Sequence, residues 1–317
     1  MIEILKTASN EELVELNINE ALSGSWFNLI NPTYDEIQQV SLVLDLDESF
    51  LRNSLDLDER SRIEFEDGHL LVITNVPTME DEGVFDTLPL GIIFTPTSIL
   101  TVCSHKNTVI QSFNKETSKY FNTENKTCFM LQILFRATRM YLRYLDYINK
   151  QTDSIEEDLR KTMKNKALFK LFEVQKSLVY FTTALRDNYM VLQKIMRLAR
   201  SGQAGGLLKF TEDDFDLLED VIIENKQALE MVEMHRNILE NMMDAFASII
   251  SNNLNVRMKF LTSITIILAI PTMLASFWGM NVKVPFAAEP FGFIIVMLIS
   301  LISAVFLTIV FAKKGMF

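Results

Sequence analysis

The chain has 317 residues, with 30 Lys and Arg against 41 Asp and Glu, a net charge of −11 and a mean hydropathy of +0.16. Residues 257–317 hold five basic residues and one acidic residue, a net charge of +4, which leaves −15 for residues 1–256. An acidic body argues against nucleic-acid binding, which needs a surplus of Lys and Arg. The two cysteines, Cys103 and Cys128, are isolated, so we expect neither a zinc site nor a disulfide framework.

The first part of the chain, residues 1–122, is predicted to be a cytosolic α/β domain with a mixed sheet. Met1–Leu16 lacks the apolar core of a secretory signal. Thr33 and Glu36 form a capping-box pattern that opens a helix through about Val43, and a second helix is predicted over Glu48–Leu55. The β-prone runs are Arg62–Glu66, Leu70–Thr74, Gly91–Thr95 and Ser98–Cys103, the last two joined by a Pro96-Thr97 hairpin signal.

Residues 123–256 are predicted to be helical, because Thr97–Ile270 contains no proline. Apolar residues recur at spacings of three and four over Cys128–Arg200, which indicates one or two antiparallel helices. Thr211 and Asp214 then cap a new helix whose stalk covers about residues 211–256. The stalk continues without a break signal toward the first apolar run, so we expect partner helices from other subunits to cover its apolar face.

Two apolar runs, Phe260–Trp278 and Phe291–Ala312, carry no charge, and each is long enough to cross a lipid bilayer as a helix. They predict a transmembrane hairpin over residues 257–317, with a connecting loop at 279–290. Basic residues precede the first run and follow the second, so the positive-inside rule places both termini in the cytoplasm. The expected location is the inner (plasma) membrane of a bacterial-type cell, as a multi-pass protein.

Small and polar residues form a stripe along the first apolar run. The stripe, with spacings that alternate between three and four, consists of Asn255, Met258, Thr262, Thr265, Ala269, Thr272, Ser276 and Gly279. Such a stripe packs membrane helices together, or it lines a pore when several copies surround an axis. The pattern alone leaves both interpretations open.

The tripeptide Gly279-Met280-Asn281 follows the first run directly. Together with the acidic cytosolic domain, the long helix and the basic tail, it resembles the CorA family of divalent-metal (magnesium) channels. The resemblance implies a homopentamer in a lipid bilayer, in which the tripeptide forms the selectivity filter for transported Mg²⁺. It also implies pore-lining positions, which with the stripe are Asn255, Met258, Leu261, Thr265 and Thr272. Two departures are Trp278, where the family commonly has Tyr, and Lys283 near the outer mouth, which only Glu289 offsets.

An uncharged filter suits a tightly hydrated ion, because amide and carbonyl oxygens can hydrogen-bond to the water shell without removing it. The resemblance further implies regulatory Mg²⁺ bound between acidic side chains of neighbouring subunits. It assigns Asp220 to this site, with four candidate partners after the second β-prone run: Glu80, Asp81, Glu82 and Asp86. A solvated helix face is the simpler explanation of such charges.

No catalytic constellation is found, because His69, His105 and His235 stand alone and the glycines at 202–206 lack a phosphate-loop ending. We therefore expect a transporter that is not an enzyme and needs no organic cofactor. One alternative is a transporter of Zn²⁺, Co²⁺ or Ni²⁺ from the same superfamily, although the zinc-transporting branch more often has Gly-Ile-Asn in place of the tripeptide. The other alternative is a membrane-anchored scaffold that conducts no ion.

Overall fold

The computed structural model describes residues 1–9, 11–18, 23–80, 83–162, 165–202, 206–282, 285 and 290–316. It comprises two units, Met1–Leu239 and Glu240–Phe317. The first unit contains a mixed sheet, with strand order β2-β1-β3-β7-β6-β5-β4 in the described residues. The strands are β1 Ile2–Thr7, β2 Leu13–Glu15, β3 Trp26–Ile30, β4 Arg62–Glu66, β5 His69–Met79, β6 Phe85–Phe94 and β7 Ile99–Cys103. Among the described strands, β3 and β7 pair in parallel and the other neighbours are antiparallel.

Helices lie on both faces of this sheet. Alternating side chains of β5 divide between two cores: Leu70 and Val72 join one, and Leu71 and Ile73 join the other. Two short helices close one face, and longer ones close the other. The helices are α1 Tyr34–Leu44, α2 Glu48–Asn53, α3 Thr108–Gln111, α4 Lys126–Thr162, α5 Asn165–Ser201, α6 Glu212–Trp278 and α7 Gly292–Lys313, with a 3₁₀ turn at Ser118–Tyr120.

Several predicted elements are confirmed. The first helix starts at the capping box, in which the Thr33 hydroxyl accepts from the Glu36 amide and the Glu36 carboxylate accepts from the Thr33 amide. β4 has the predicted bounds, and β6 and β7 form the predicted hairpin. The helical region contains two helices, α4 and α5, and Thr211 and Asp214 form the predicted cap of α6.

The first three strands were not predicted, although Trp26–Ile30 is a β-prone run between turn residues. β5 and β6 are also longer than predicted, because the pairing continues past Pro77 and Pro89. Proline lacks the N–H that a ladder needs, so prolines mark weak points in a strand pattern.

A buried polar network replaces the missing ladder bonds at one of these prolines. Asn75 lies opposite Pro89. The Asn75 carbonyl accepts from the Tyr141 hydroxyl at 3.0 Å and from Asn188 Nδ2 at 2.7 Å, and its amide donates to Asn188 Oδ1 at 2.9 Å. Asn188 Oδ1 also accepts from the hydroxyls of Ser61 and Thr74. The network therefore joins α4 and α5 to the middle of β5.

The second unit consists of the end of α6 and α7. In the described residues, α6 and α7 are the two helices long and apolar enough to cross a membrane, and 6% and 0% of their apolar windows are buried in the chain. The core helix of a soluble protein would be largely buried. Pro271 lies inside α6 without ending it. A proline within a helix removes one intrahelical hydrogen bond, and membrane helices tolerate this.

Removing the amide of Asn188 should destabilise the first unit. Asn188→Ala leaves the Asn75 amide and the Thr74 hydroxyl without their buried acceptor, at a cost of about 1–3 kcal/mol. Thermal unfolding of the full chain in detergent should show a lower midpoint for this variant. Thr183→Ala, at an exposed position of the same helix, is the control and should unfold like the wild type. Equal midpoints for the two variants would contradict the role of the network.

The stability of the first unit should fall as the pH drops through the range of His235. Burial lowers the pKa of His235 below its ordinary 6.5, and the nearby carboxylates of Asp146 and Asp153 oppose this only in part. A base with a lowered pKa in the folded state contributes stability above its unfolded pKa and loses it as pH falls below 6.5. Melting midpoints between pH 7.5 and pH 5.5 should therefore decline less in His235→Gln than in the wild type. An equal decline of the melting midpoint in the two proteins would show that His235 does not cause the pH dependence.

Candidate functional site

The stripe on α6 is an exposed face of the second unit. Its eight positions from Asn255 to Gly279 are all exposed in the single chain. The residues that are covered at least partly lie between them, and they include Ser263, Ile267 and Leu274. Met258 is 53% exposed and Leu261, one position off the stripe, 58%. In the described residues Asn255, Thr265 and Thr272 all remain exposed, so this face is available to another chain or to lipid.

The hydroxyl groups of this face are bonded to the helix that carries them. Thr265 Oγ1 donates to the Leu261 carbonyl, Thr272 Oγ1 to Leu268 and Ser276 Oγ to Thr272, each at 2.8 Å. A hydroxyl has one hydrogen and two lone pairs. With the hydrogen engaged, the oxygens of these side chains can only accept hydrogen bonds from whatever lies beside the helix.

The tripeptide directly follows the last residue of α6. The helix ends at Trp278, the Gly279 amide still donates to the Ala275 carbonyl at 3.0 Å, and the Met280 amide donates to Phe277 at 3.4 Å. Asn281 is exposed, and the Met280 side chain is 54% exposed. Trp278 Nε1 donates to the Pro285 carbonyl at 3.1 Å, which holds Pro285 beside the helix end. Lys283 and Glu289 lie outside the described residues.

Gly279 is not required by the fold of a single chain. A methyl group added there would lie 3.4 Å from the Ala275 carbonyl oxygen and 3.6 Å from that of Ser276, both ordinary contacts. The backbone conformation at Gly279 is also one that other residues adopt. Any need for glycine here must therefore come from a second chain or an ion that approaches the backbone.

Two of the candidate regulatory acids lie together, and Asp220 does not lie with them. Glu80 and Asp86 line one cavity of about 690 Å³, called here the carboxylate cavity. Asp58, Glu59 and Asp187 also line it, together with the basic residues Arg60 and Lys106. Asp220 is exposed on α6 and is absent from this lining. Asp81 and Glu82 lie outside the described residues.

Asp86 also interacts with groups of its own domain. Its carboxylate accepts from the Thr87 amide at 2.7 Å. Burial of Tyr141, and to a lesser degree the charge of Asp86, raises the pKa of the phenol well above 10, so Tyr141 remains a donor to Asn75. Across the described ranges, no three side chains of the His, Cys, Asp and Glu types lie close enough to hold a metal ion. One described chain therefore offers at most part of a multi-carboxylate site.

Sequence reasoning overlooked a cluster of arginines on α4. Arg136, Arg139 and Arg143 follow a spacing of three and four, which places them on one helix face. This three-and-four spacing of basic residues is the sequence signal that identifies the face.

Comparisons with known proteins agree over nearly the whole chain. Residues 22–314 match the profile of a family described as CorA-like Mg2+ transporter protein. The cobalt/magnesium transport protein CorA of Methanocaldococcus jannaschii is 28% identical over 324 residues, which cover 99% of each chain. The magnesium transport protein CorA of Helicobacter pylori is 25% identical over 95% of this chain and 92% of its own.

A solved structure shows the same architecture. The complete structure of the CorA magnesium transporter from Methanocaldococcus jannaschii superposes with a TM-score of 0.82 at 25% identity. The superposition covers 100% of this chain and 99% of that one. The mixed sheet, the long helix and the final apolar helix therefore all have counterparts in one solved protein.

Proposed function

Because the chain belongs to the CorA family of Mg²⁺ transporters, we propose that it forms a homopentameric channel for Mg²⁺ uptake, with Gly279, Met280 and Asn281 as the selectivity filter. The observation that carries the proposal is the stripe on α6, whose eight positions are exposed in the single chain and lead to the tripeptide. Five copies around an axis would turn this face into a pore wall. The same arrangement would cover the apolar residues of α6 that one chain leaves exposed.

The chemistry of the stripe suits a hydrated cation. The first-shell waters of Mg²⁺ point their hydrogens outward and leave the ion reluctantly. The Thr265 and Thr272 oxygens can accept those hydrogens, because their own hydrogens are bonded to the helix. A ring of Asn281 amide oxygens would do the same at the outer end. The pore then needs no carboxylate within the membrane, where an unpaired charge is costly.

The proposed orientation places the α6 and α7 spans, residues 260–278 and 291–312, across the plasma membrane with both termini in the cytoplasm. Arg257 and Lys259 precede the first span and Lys313 and Lys314 follow the second, which supports this topology. We retain the predicted organisation as a cytosolic α/β domain at 1–122, a helical region at 123–256 and a transmembrane hairpin at 257–317. The membrane potential would then drive the cation inward.

The identity of the ion has one further candidate. The Methanocaldococcus relative carries cobalt as well as magnesium in its name, which favours Co²⁺ as a second cargo. Liposomes that contain the purified protein, tested with Mg²⁺, Co²⁺, Ni²⁺ and Zn²⁺ in turn, would rank the ions. Absence of flux for every ion would contradict the channel and favour a scaffold.

Gating by cytosolic Mg²⁺ is proposed to act through acids at subunit interfaces. The described residues of one chain form no complete multi-carboxylate site. Asp220 of one subunit would therefore need acids of its neighbour. Glu80 and Asp86 are candidates, and so are Asp81 and Glu82, which follow Glu80 in the sequence. Mg²⁺ between the subunits would hold the ring closed at high concentration. When the ion leaves, repulsion between acidic domains would loosen the apolar constriction formed by Met258 and Leu261.

Asn281→Ala should abolish selective Mg²⁺ flux into liposomes while the oligomer still assembles. The change removes one amide oxygen per subunit from the filter ring without altering the backbone. Asn253→Ala is the matched control, since Asn253 is an exposed asparagine of the same helix on the side away from the stripe. Equal flux in the Asn281 variant and the wild type would refute the filter assignment.

Asp220→Asn should raise the internal Mg²⁺ concentration needed to inhibit flux. A ligand shifts an equilibrium only by its differential affinity for the two states, so loss of one closed-state ligand weakens closure. A tenfold rise would correspond to about 1.4 kcal/mol of lost differential affinity. Flux is measured against internal Mg²⁺, with Glu219→Gln as the control for neutralising a neighbouring exposed acid. Overlapping curves would show that Asp220 is only a solvated helix residue.

A further inference from the structure

The first unit contains a large cavity that neither the pore nor the proposed metal site uses. It has a volume of about 980 Å³ and lies between α4, the first part of α6 and the segment from Val109 to Phe121. Its lining includes Phe113, Gln132 and Leu217, the three arginines of α4, and two acids, Asp146 and Glu224, so basic residues exceed acidic ones by one. We call it the arginine cavity.

The three arginines of this cavity have no acidic partner in the part of the chain that the structure describes. Arg136, Arg139 and Arg143 are exposed, and no described carboxylate lies within ion-pair distance of them. The guanidinium of Arg139 lies 5.7 Å from the centre of the Phe135 ring. Three like charges on one helix face repel one another. In a region whose net charge is −15, this arrangement indicates an acidic occupant.

The same cavity also offers unpaired acceptors. Gln132 Oε1 and Glu224 Oε2 are buried and lack a hydrogen-bond partner among the described residues. A free inorganic anion could satisfy the arginines but supplies few donors for these oxygens. A polypeptide segment supplies carboxylates and backbone N–H groups together. The cavity therefore suits an acidic stretch of protein better than a small anion.

The carboxylate cavity is the complementary surface on the same chain. Asp58 and Glu80 are exposed and Asp86 and Asp187 half-buried, and none of the four has an ion-pair partner among the described residues. The acids at the α4 tip are less available, since Glu156 pairs with Arg160. The two cavities share no lining residue. One copy can therefore use both at once.

We propose that the arginine cavity of one subunit receives the carboxylate-cavity face of the next subunit, with Glu80 at its exposed edge. The inference rests on the proposed homo-oligomer and names the contact that closes it. A ring around a pore requires a heterologous contact, in which two different surfaces of each chain meet. Two surfaces of opposite charge meet this requirement, whereas contacts between identical acidic helices would repel.

The proposed contact has a consequence for regulation. Arginine pairs with a carboxylate through two parallel hydrogen bonds and remains charged at any physiological pH. This contact would hold neighbouring subunits together without a metal ion. Divalent cations and Arg136, Arg139 and Arg143 would then compete for the same carboxylates, and the contact would weaken at high ionic strength.

The first test is a charge exchange in the full-length protein. Arg139→Glu with Arg143→Glu should lose the oligomer peak in light scattering at a protein concentration where the wild type keeps it. Adding Asp58→Lys and Glu80→Lys should restore the peak. Lys170→Glu with Arg200→Glu, on the exposed side of α5, is the control and should assemble normally. Normal assembly of the first variant, or loss without restoration, would overturn the proposed pairing.

The second test reports the contact independently of transport and of overall assembly. One chain carries Arg139→Cys, a co-expressed chain carries Glu80→Cys, and both carry Cys128→Ser because that native thiol is only half-buried. A short bis-maleimide should give a covalent dimer of the two chains, and Arg200→Cys in place of Arg139→Cys should give none. No dimer in either pair would overturn the contact, even if the channel conducts Mg²⁺.

The remaining outcome is that the arginine cavity binds a small anion instead of a neighbouring subunit. Inorganic pyrophosphate would then raise the melting temperature of the wild type but not of the variant with Arg139→Glu and Arg143→Glu. That result without any cross-linked dimer would refute a docking surface.

Discussion

The structure depends on one uninterrupted helix backbone, α6, which starts at the Thr211 and Asp214 cap and ends at Trp278. A helix satisfies its own backbone N–H and C=O groups, so it can continue from water into hydrocarbon without exposing them. The hydroxyls of Thr265, Thr272 and Ser276 extend this rule to side chains, because each donates to a carbonyl of its own helix. What remains on that face are acceptor oxygens and small apolar groups. This combination can contact a hydrated cation in the proposed pore and still tolerate the membrane.

The part of the chain that precedes the apolar runs faces a different constraint, which is the distribution of charge. Residues 1–256 carry −15, and five such regions around an axis would repel one another unless cations or basic side chains lie between them. Acids outnumber the basic residues Arg60 and Lys106 in the carboxylate cavity, and arginines outnumber the acids Asp146 and Glu224 in the arginine cavity, so the two surfaces of one subunit differ in the sign of their net charge. Charge separation within a subunit favours contact between unlike faces of neighbours. A metal-bridged contact and a direct arginine contact are then alternative ways to neutralise the same acids.

Local signals predicted local structure well. The capping box at Thr33, the strand Arg62–Glu66 and the hairpin at Pro96-Thr97 each depend on residues close in sequence, and each is present. The prediction failed where distant residues decide the structure. β3 pairs in parallel with β7, some seventy positions away, and β5 continues past a proline-interrupted partner because Asn188 and Tyr141 supply the hydrogen bonds. No pattern within a strand reports such partners.

By itself, the sequence determined the two apolar runs, the stripe from Asn255 to Gly279 and the tripeptide that follows it, because helical periodicity and lack of charge are properties of consecutive residues. It also determined that residues 1–256 carry a net charge of −15 and that basic residues precede the first apolar run and follow the second. Only the tertiary structure decided that Glu80 and Asp86 share a cavity with Asp58 and Asp187, and that three arginines of α4 share another with Glu224 of α6. The physical reason is that packing brings together side chains whose separation along the chain carries no signal of their proximity.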